Sequence, residues 1–304
     1  MKLGLIGLGN MGVHFGSRLL AAQYDLTVFD INPAMVKRLA DKGAKVAHSP
    51  VEMANTCEVV LLCLPMPEAV AAVATGSPGV QGVMHGSAVK VIVDLSTTGP
   101  SVTGEVASLV QAQGIEFLGA PVSGGTVAAE KGTLTIMVSG KESLVQALDP
   151  VFKTIGKNLF YLGEDPSLGQ TMKIINNTLC AVGMVASCEA LVYGAKAGLD
   201  SKLMLDVLNV SSGRSFATLE KIPQCILNRE FPTRFTTELI HKDIKLCIEE
   251  AEKLGAPMMV SQAARAFLAF AITQGDGKKD YAHTIKHFEG WAGVEFGQEK
   301  DSSQ

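Results

Sequence analysis

The sequence predicts an α/β domain with an open, mainly parallel sheet, followed by an all-α helical domain, with one long helix joining the two. Three observations predict this. Before Gly169, short apolar runs alternate with helical patterns, as they do in βαβ units. From Gly169 onward the pattern is helical almost to the end. The length of 304 residues also exceeds what one hydrophobic core usually supports. We therefore predict domains at 1–164 and 165–292 and a polar C-terminal tail at 293–304.

The composition indicates a globular protein of a reducing compartment. Apolar residues make up 47% of the chain, and the net charge of −4 gives no basic excess, so we expect no nucleic-acid or membrane partner. The six cysteines form no CxxC pair and the six histidines have no metal-ligand spacing, so no metal site is predicted. We expect no signal segment and no apolar run of membrane length. The expected location is the cytoplasm.

The first predicted strand, Leu3–Ile6, is followed directly by a glycine-rich turn and then a helical pattern. The six residues of that turn are Gly7, Leu8, Gly9, Asn10, Met11 and Gly12. A GxGxxG motif between a strand and a helix predicts a Rossmann-type dinucleotide-binding domain. Gly7 permits the tight turn, Gly9 allows a diphosphate to approach the backbone, and Gly12 allows close helix packing. We predict that all six residues bind the cofactor at the start of the helix.

An acidic residue ends the second predicted strand, Leu26–Phe29. Asp30 at this place can accept hydrogen bonds from the adenosine ribose and would repel a 2′-phosphate. The next three residues include no arginine, although Lys37 and Arg38 follow within reach of a helical turn. The sequence therefore favours NAD as the cofactor and leaves NADP as the alternative.

Two further apolar strands are predicted, at Val59–Leu64 and Val89–Leu95. The first is apolar throughout and the second is apolar at Val91–Val93, and a continuous apolar run indicates burial on both faces, as in a parallel sheet. Pro65 closes the first of these strands, and Ser96–Thr98 follow the second. The carboxyl ends of such strands are where open α/β sheets bind ligands, but small hydroxyl residues equally suit a helix cap.

A loop with two adjacent glycines follows, at Gly119–Gly125. Ser123, Gly124 and Gly125 would expose one hydroxyl and several backbone amides within a short stretch. Such a loop can hold a carboxylate through neutral donors, and a plain turn is the equal alternative.

The long helix is predicted at Gly169–Ala197 and places Lys173 one turn before Asn177. A lysine beside orienting amides suits proton transfer, whereas the spacing alone also fits an exposed lysine on a polar helix edge. Glycines and a Gly-Ala-Pro segment separate the later predicted helices, the last of which ends near Trp291. Those before it are Ser201–Val210, Phe216–Leu227, Leu239–Lys253 and Val260–Gln274.

Six motifs in this order resemble the β-hydroxyacid dehydrogenase family, which includes 3-hydroxyisobutyrate dehydrogenase and tartronate semialdehyde reductase and belongs to the 6-phosphogluconate dehydrogenase superfamily. The motifs are GLIGLGNMG, DLSTTGP, GAPVSGG, GTLTIMVSG, GQTMKIINN and KDIKL, beginning at residues 4, 94, 119, 132, 169 and 242. They extend over nearly the whole chain to about Trp291. The resemblance implies NAD(P)-dependent interconversion of a short 3-hydroxy acid and its semialdehyde by a homodimer or homotetramer.

The resemblance also implies roles for the residues that bind the substrate. Lys173 matches the family's catalytic lysine, which acts as general acid and base, and Asn177 matches the asparagine that holds the substrate beside it. Ser123, Gly124 and Gly125 match the loop that binds the substrate carboxylate. A lysine can accept the hydroxyl proton only if its surroundings lower its pKa from about 10.4 towards neutrality.

Further positions match the family's cofactor-binding residues. Those on the predicted sheet are Leu64, Pro65 and Thr97. Lys242 of the KD motif matches a lysine that approaches the nicotinamide end of the cofactor from the second domain. Asp243, beside it, is expected to be structural.

One departure from the superfamily bears on the reaction type. Its decarboxylating members carry a glutamate seven residues after the lysine and a histidine three residues after it, where this chain has Cys180 and Asn176. Simple reversible oxidation is therefore expected. Two other functions are alternatives to a hydroxyacid dehydrogenase: an imine reductase and a nucleotide-binding module that has lost catalysis. Imine reductases typically lack the lysine that Lys173 matches.

Overall fold

The computed structural model describes residues 1–297. Contacts divide the chain into two compact units, and the second begins at Ile175, inside the longest helix. The predicted boundary at residue 164 lies ten positions earlier, at the loop before that helix. The first unit has the predicted α/β architecture and the second is helical.

The first unit is built around a six-stranded parallel sheet in the order β3-β2-β1-β4-β5-β6. A smaller sheet has the order β7-β8-β9, in which β7 runs antiparallel to β8 and β9 runs parallel to it. The strands are β1 Lys2–Ile6, β2 Asp25–Phe29, β3 Lys45–Val46, β4 Val59–Leu62, β5 Val91–Asp94, β6 Glu116–Gly119, β7 Val122–Ser123, β8 Leu134–Val138 and β9 Gly156–Tyr161. The helices are α1 Gly12–Ala21, α2 Pro33–Ala40, α3 Pro50–Ala54, α4 Pro67–Thr75, α5 Pro100–Gln111, α6 Gly125–Lys131, α7 Glu142–Ala147 and α8 Asp149–Ile155, with a 3₁₀ turn at Val83–His85.

The apolar strands are continuous because the large sheet has a hydrophobic core on each face. In β4, Leu61 belongs to one core and Val60 and Leu62 belong to the other. In β5, Val93 and Ile92 are divided in the same way. Since alternate side chains of a strand point to opposite faces, burial on both sides favours apolar residues at successive positions.

The second unit consists of helices around a single core. α9 spans Ser167–Lys196 and so begins in the first unit and joins the two units; α10 is Ser201–Asn209, α11 is Thr237–Lys253, α12 is Met259–Ala271 and α13 is Ile285–Ala292. Three π-helical segments occur at Ala217–Lys221, Pro223–Leu227 and Ile272–Asp276, and a 3₁₀ turn at Tyr281–Thr284.

Two of the predicted helices differ in form from the expectation. The predicted helix Phe216–Leu227 is π-helical on both sides of Ile222, where Pro223 supplies no backbone N–H for an α-helical hydrogen bond. The predicted helix Val260–Gln274 ends as an α-helix at Ala271 and continues as a π-helical segment.

The predicted polar tail begins with residues that pack onto the second unit. Phe296 is fully buried, and its carbonyl oxygen accepts a hydrogen bond of 2.9 Å from the guanidinium of Arg229. That guanidinium also pairs with Glu289 at 2.6 Å. Residues 293–297 are therefore part of the fold, and the rest of the predicted tail lies outside the described residues.

Helix α9 corrects the expectation of no segment of membrane length. It is 30 residues long and contains an 18-residue window of mean hydropathy 1.5, so length and composition alone would allow it to cross a membrane. Half of that window is buried in the protein, and core helices of soluble proteins can have the same length and hydropathy. Polar residues such as Asn176 and Asn177 interrupt its apolar run, so the segment does not stand out in the sequence as a continuous apolar stretch.

Candidate functional site

The glycine-rich turn after β1 has the geometry of a dinucleotide cradle. Gly7 has a φ of +91°, and a Cβ there would lie 2.2 Å from the carbonyl oxygen of Cys63. A Cβ on Gly12 would lie 1.9 Å from the carbonyl oxygen of Gly7, so α1 packs directly on the turn. A Cβ on Gly9 would meet no heavy atom within 4 Å. The first two positions thus require glycine for the fold, whereas Gly9 leaves open the space that a diphosphate would need.

Leu8 is buried within this turn, whereas Asn10 is exposed and Met11 is half-buried. Met11 is also the N-cap residue of α1. The backbone amides at the start of α1 therefore follow directly on the exposed part of the turn, where a helix favours an anionic group.

Asp30 holds a fixed carboxylate at the end of β2. Its Oδ2 accepts a hydrogen bond of 2.6 Å from the backbone N–H of Leu8, and its Oδ1 accepts one of 2.7 Å from Asn32. The first bond ties the acid to the glycine-rich turn. Nearby, Lys37 forms an ion pair of 2.9 Å with Asp41. The end of β2 therefore presents a negative charge whose orientation the backbone sets.

Four of the predicted cofactor positions occur at one edge of the large sheet. Gly7, Asp30, Leu64 and Thr97 follow the carboxyl ends of β1, β2, β4 and β5, which are parallel neighbours. Pro65 lies next to Leu64 and is exposed. The structure brings these residues to the edge where open α/β sheets bind their ligands.

A buried hydrogen-bond network that the sequence analysis missed organises this edge. Asp94 is fully buried; its Oδ1 accepts from the N–H of Ser96 at 2.9 Å, and its Oδ2 accepts from the hydroxyl of Thr98. The hydroxyl of Ser96 in turn accepts from the N–H of Leu64 at 2.9 Å. Gln170, also fully buried, contacts the same loop from α9. Ser96 and Thr98 therefore serve this network rather than the cap of α5, whose N-cap residue is Gly99.

Cys63, which adjoins the glycine-rich turn, carries a neutral thiol. Burial, and then the negative charge of Asp94, raises the pKa of this thiol to about 12. All six cysteines are free thiols, and Cys63 has no thiolate character for nucleophilic chemistry at neutral pH.

The loop predicted to bind a carboxylate requires its two glycines. Ser123 ends β7 and pairs with Thr135 of β8. Gly124 and Gly125 have φ angles of +130° and +69°, a region that residues with a side chain rarely adopt. Both glycines are exposed, and a Cβ on Gly125 would meet no heavy atom within 4 Å. The backbone amide groups of this turn are therefore reachable from solvent.

Lys173 belongs to a buried polar stripe on α9. Gln170 is fully buried, Lys173 is 8% exposed and Asn177 is 6% exposed. Their spacing of three and then four residues places all three on one face of the helix. The alternative of an exposed lysine on a polar helix edge is therefore wrong.

In the second unit, Asp243 on α11 fixes the side chain of Asn177. Its Oδ2 accepts a hydrogen bond of 2.6 Å from the Nδ2 of Asn177, and its Oδ1 lies 3.0 Å from the ammonium of Lys242 in an ion pair without hydrogen-bond alignment. Asn176 donates a bond of 3.0 Å to the Oδ1 of Asn177. Asp243, expected to be structural, thus sets which way the amide of Asn177 points.

Across residues 1–297, no group of three or more His, Cys, Asp or Glu side chains is arranged to hold a metal ion. The polar groups described above offer hydrogen bonds and charges to an organic ligand: an anion cradle at the turn and a carboxylate at the end of β2. This donor set fits a dinucleotide.

Comparison with known proteins agrees with this geometry. Two protein-family models match the chain: the NAD binding domain of 6-phosphogluconate dehydrogenase matches residues 2–163, and the NAD-binding domain of NADP-dependent 3-hydroxyisobutyrate dehydrogenase matches residues 167–288. Together they extend over both units.

Individual relatives match along almost their whole length. The chain is 35% identical over 294 residues to 2-(hydroxymethyl)glutarate dehydrogenase of Eubacterium barkeri, with 97% of each chain covered. It is 34% identical over 292 residues to the mitochondrial 3-hydroxyisobutyrate dehydrogenase of Mus musculus, covering 94% of this chain and 86% of that protein. The structure of Mycobacterium tuberculosis 3-hydroxyisobutyrate dehydrogenase with L-serine matches with a TM-score of 0.85 and 28% identity, covering 94% and 98% of the two chains. The chain therefore belongs to the β-hydroxyacid dehydrogenase family, and it is an NAD(P)-dependent oxidoreductase of that family.

Proposed function

We propose that this protein interconverts a short 3-hydroxy acid and its semialdehyde with NAD as the cofactor and Lys173 as the general acid and base. The burial of Lys173 one turn before Asn177 carries this proposal. A lysine must lose its proton before it can act as a base, and burial favours the neutral amine over the ammonium. Such a group can take the hydroxyl proton during oxidation and return it to the carbonyl oxygen during reduction.

The other site residues hold the substrate in this scheme. Asn177, oriented by Asp243, holds the substrate hydroxyl beside Lys173. The amide groups at Ser123–Gly125 bind the substrate carboxylate without a charged partner. A nicotinamide cofactor, when bound, would supply the acceptor for the hydride. The acid that the decarboxylating members of the superfamily carry is absent, since Cys180 occupies its position.

The substrate class follows from what the named relatives share. 3-Hydroxyisobutyrate and 2-(hydroxymethyl)glutarate both carry a primary alcohol on a carbon next to the one that bears the carboxylate. L-Serine, present with the Mycobacterium tuberculosis structure, has the same arrangement. We infer that this protein takes 3-hydroxypropanoates that carry a substituent at carbon 2.

The preference for NAD rests on Asp30. Its carboxylate is held by two backbone N–H groups, so it cannot easily turn away from a 2′-phosphate. Of the two cations on α2, Lys37 is paired with Asp41 at 2.9 Å, and the guanidinium of Arg38 lies 3.9 Å from the sulfur of Met35. We therefore infer that NADP is the poorer cofactor.

We also infer a homodimer or homotetramer. In the second unit, Tyr193 of α9 and Leu203 and Val207 of α10 are each more than half exposed. Large exposed apolar side chains on neighbouring helices favour burial against another subunit. Light scattering after size exclusion tests this, and a monomer at micromolar concentration would exclude it.

Initial rates of NADH formation test the main proposal. The panel comprises 3-hydroxyisobutyrate, 2-(hydroxymethyl)glutarate, L-serine, glycerate, threonate and 4-hydroxybutyrate, in which the alcohol lies one carbon too far. Turnover of at least one 3-hydroxy acid should exceed that of 4-hydroxybutyrate. Lys173→Met should lower kcat by about 10²- to 10⁴-fold, the usual contribution of an acid–base group. Lys196→Met, an exposed lysine on the same helix, is the matched control. A Lys173→Met enzyme with near-normal turnover would exclude the acid–base role.

A further inference from the structure

Gln170 makes three hydrogen bonds to the end of β5 and the loop that follows it, and it is fully buried. Its Nε2 donates to the carbonyl oxygen of Ser96 at 3.0 Å and to Oδ2 of Asp94 at 3.2 Å. Its Oε1 accepts from the N–H of Thr98 at 2.9 Å. The contact therefore uses both hydrogens of the amide and its oxygen at once.

The hydrogen-bonding groups around position 170 match a glutamine side chain. The site needs two donors and one acceptor on a planar group at the end of a two-carbon stem, which glutamine supplies. Glutamate would offer acceptors alone and would bring a second carboxylate to the buried carboxylate of Asp94. Leucine would fill a similar volume and leave the three partners of the loop without their bonds.

The loop held by Gln170 carries proposed cofactor positions. Thr97 lies between Ser96 and Thr98, two of the residues that Gln170 contacts. Through its hydroxyl, Ser96 also fixes the N–H of Leu64 at the end of β4. A displacement of Gln170 would therefore act on the ends of β4 and β5 together.

The same helix carries Lys173 three residues later, on the same buried face. Three residues of α-helix correspond to about 4.5 Å along the axis, within one rigid turn. The start of α9 is anchored separately, because the N–H of Gly169 donates to the hydroxyl of Ser139 at 2.8 Å. The bonds of Gln170 add a further anchor, on the face of α9 that carries Lys173.

We propose that Gln170 is a positioning residue that holds the Lys173 ammonium or amine in register with the cofactor-binding loop 96–98. This inference rests on the proposed function of Lys173. In this role Gln170 takes no proton and contacts no reacting atom. It fixes the position of Lys173 relative to loop 96–98.

Gln170→Leu and Gln170→Glu test the proposal in the full-length enzyme. We expect kcat for the best acid of the panel to fall by at least about tenfold in both variants, since a misplacement of about 1 Å can cost 10²-fold in rate. The KM for that acid should change by less than roughly threefold, because its carboxylate and hydroxyl contacts remain. The primary deuterium isotope effect on kcat, measured with acid deuterated at the carbinol carbon, should rise as hydride transfer becomes more rate-limiting.

The isotope effect distinguishes positioning from a loss of folded enzyme, because it does not depend on the active fraction. Phe152→Leu, a fully buried substitution in the core of the first unit, is the control for stability. It should lower the melting temperature and leave the isotope effect at the wild-type value. Gln170 variants that lose activity with an unchanged isotope effect, or that keep wild-type kcat, would overturn the proposal.

A failure of the proposed function can be distinguished from a failure of the proposed role of Gln170. Wild-type turnover and its loss in Lys173→Met establish that function before the Gln170 variants are interpreted. If the wild-type protein turns over no acid of the panel, the proposed function fails, and the crystal structure of Gln170→Leu decides the inference. A shift of about 1 Å in Lys173 or in residues 96–98 would support it, and unmoved positions would overturn it.

Discussion

Asp243→Asn is predicted to slow catalysis without unfolding the protein, because it weakens the bond that orients Asn177. The substitution keeps the shape of the side chain and one acceptor oxygen. It removes the negative charge that accepts from Nδ2 of Asn177 at 2.6 Å and pairs with Lys242 at 3.0 Å. Asp243 is 2% exposed, so water cannot replace the lost contacts.

The size of the effect follows from the type of bond. A hydrogen bond to a charged group contributes about 1.5–3 kcal/mol and a neutral one about 0.5–1.5 kcal/mol, so the asparagine variant loses about 1–1.5 kcal/mol. If the orientation of Asn177 matters in the transition state, kcat/KM falls by about 5- to 13-fold, at 1.36 kcal/mol per tenfold. Asp243→Leu removes the acceptor altogether and loses the whole bond, about 1.5–3 kcal/mol. Its kcat/KM should fall by about 13- to 160-fold.

The assay is the steady-state rate of NADH formation with the best 3-hydroxy acid, together with thermal melts of each variant. Glu249→Gln is the matched control on the same helix: its carboxylate is 43% exposed and lies 3.6 Å from the ammonium of Lys245. Such a surface pair contributes little, so stability and rate should stay within about 0.5 kcal/mol of the wild type.

The order of the effects is the decisive result. Asp243→Leu should be slower than Asp243→Asn, and both variants should be slower than Glu249→Gln. An Asp243→Leu enzyme with wild-type kcat/KM would show that the bond to Asn177 plays no part in catalysis.

Three further predictions concern the cofactor cradle and the stability of the fold. Gly7→Ala should destabilise the protein by more than about 2 kcal/mol, because it combines left-handed backbone strain with a Cβ that lies 2.2 Å from a carbonyl oxygen. Gly9→Ala should have the melting temperature of the wild type and bind NADH at least about tenfold more weakly. Equal melting temperatures for the two variants, or an unchanged NADH fluorescence titration for Gly9→Ala, would contradict this prediction. Asp30→Asn keeps an acceptor but loses its charge, so the ratio of kcat/KM for NAD to that for NADP should fall by about tenfold; an unchanged ratio would show that another group sets the preference. Burial lowers the pKa of His241 and of His283 below the unfolded value of 6.5. As the pH falls through 6.5, the unfolded chain therefore binds more protons than the folded protein, and the folded protein loses stability. Above pH 6.5 both histidines are neutral in both states, and their contribution to stability is complete. The urea midpoint should therefore fall between pH 7.5 and 5.5, and His241→Gln/His283→Gln should reduce that fall; the same pH dependence in the double variant would argue against it.

The sequence by itself determined the order of the two halves and the edge of the sheet at which the predicted cofactor positions lie. Both follow from local rules: strands buried on two faces read as unbroken apolar runs, and a turn at the required φ admits glycine alone, as at Gly7. Only the tertiary structure decided that Lys173 is buried rather than exposed on a polar helix edge. It also decided the partners of Gln170 and Asn177, which are Asp94 at a separation of 76 residues and Asp243 at a separation of 66. Helical and strand periods extend over a few residues and show which face of an element is buried. They do not encode which distant side chain meets that face, because the packing of whole elements sets that contact.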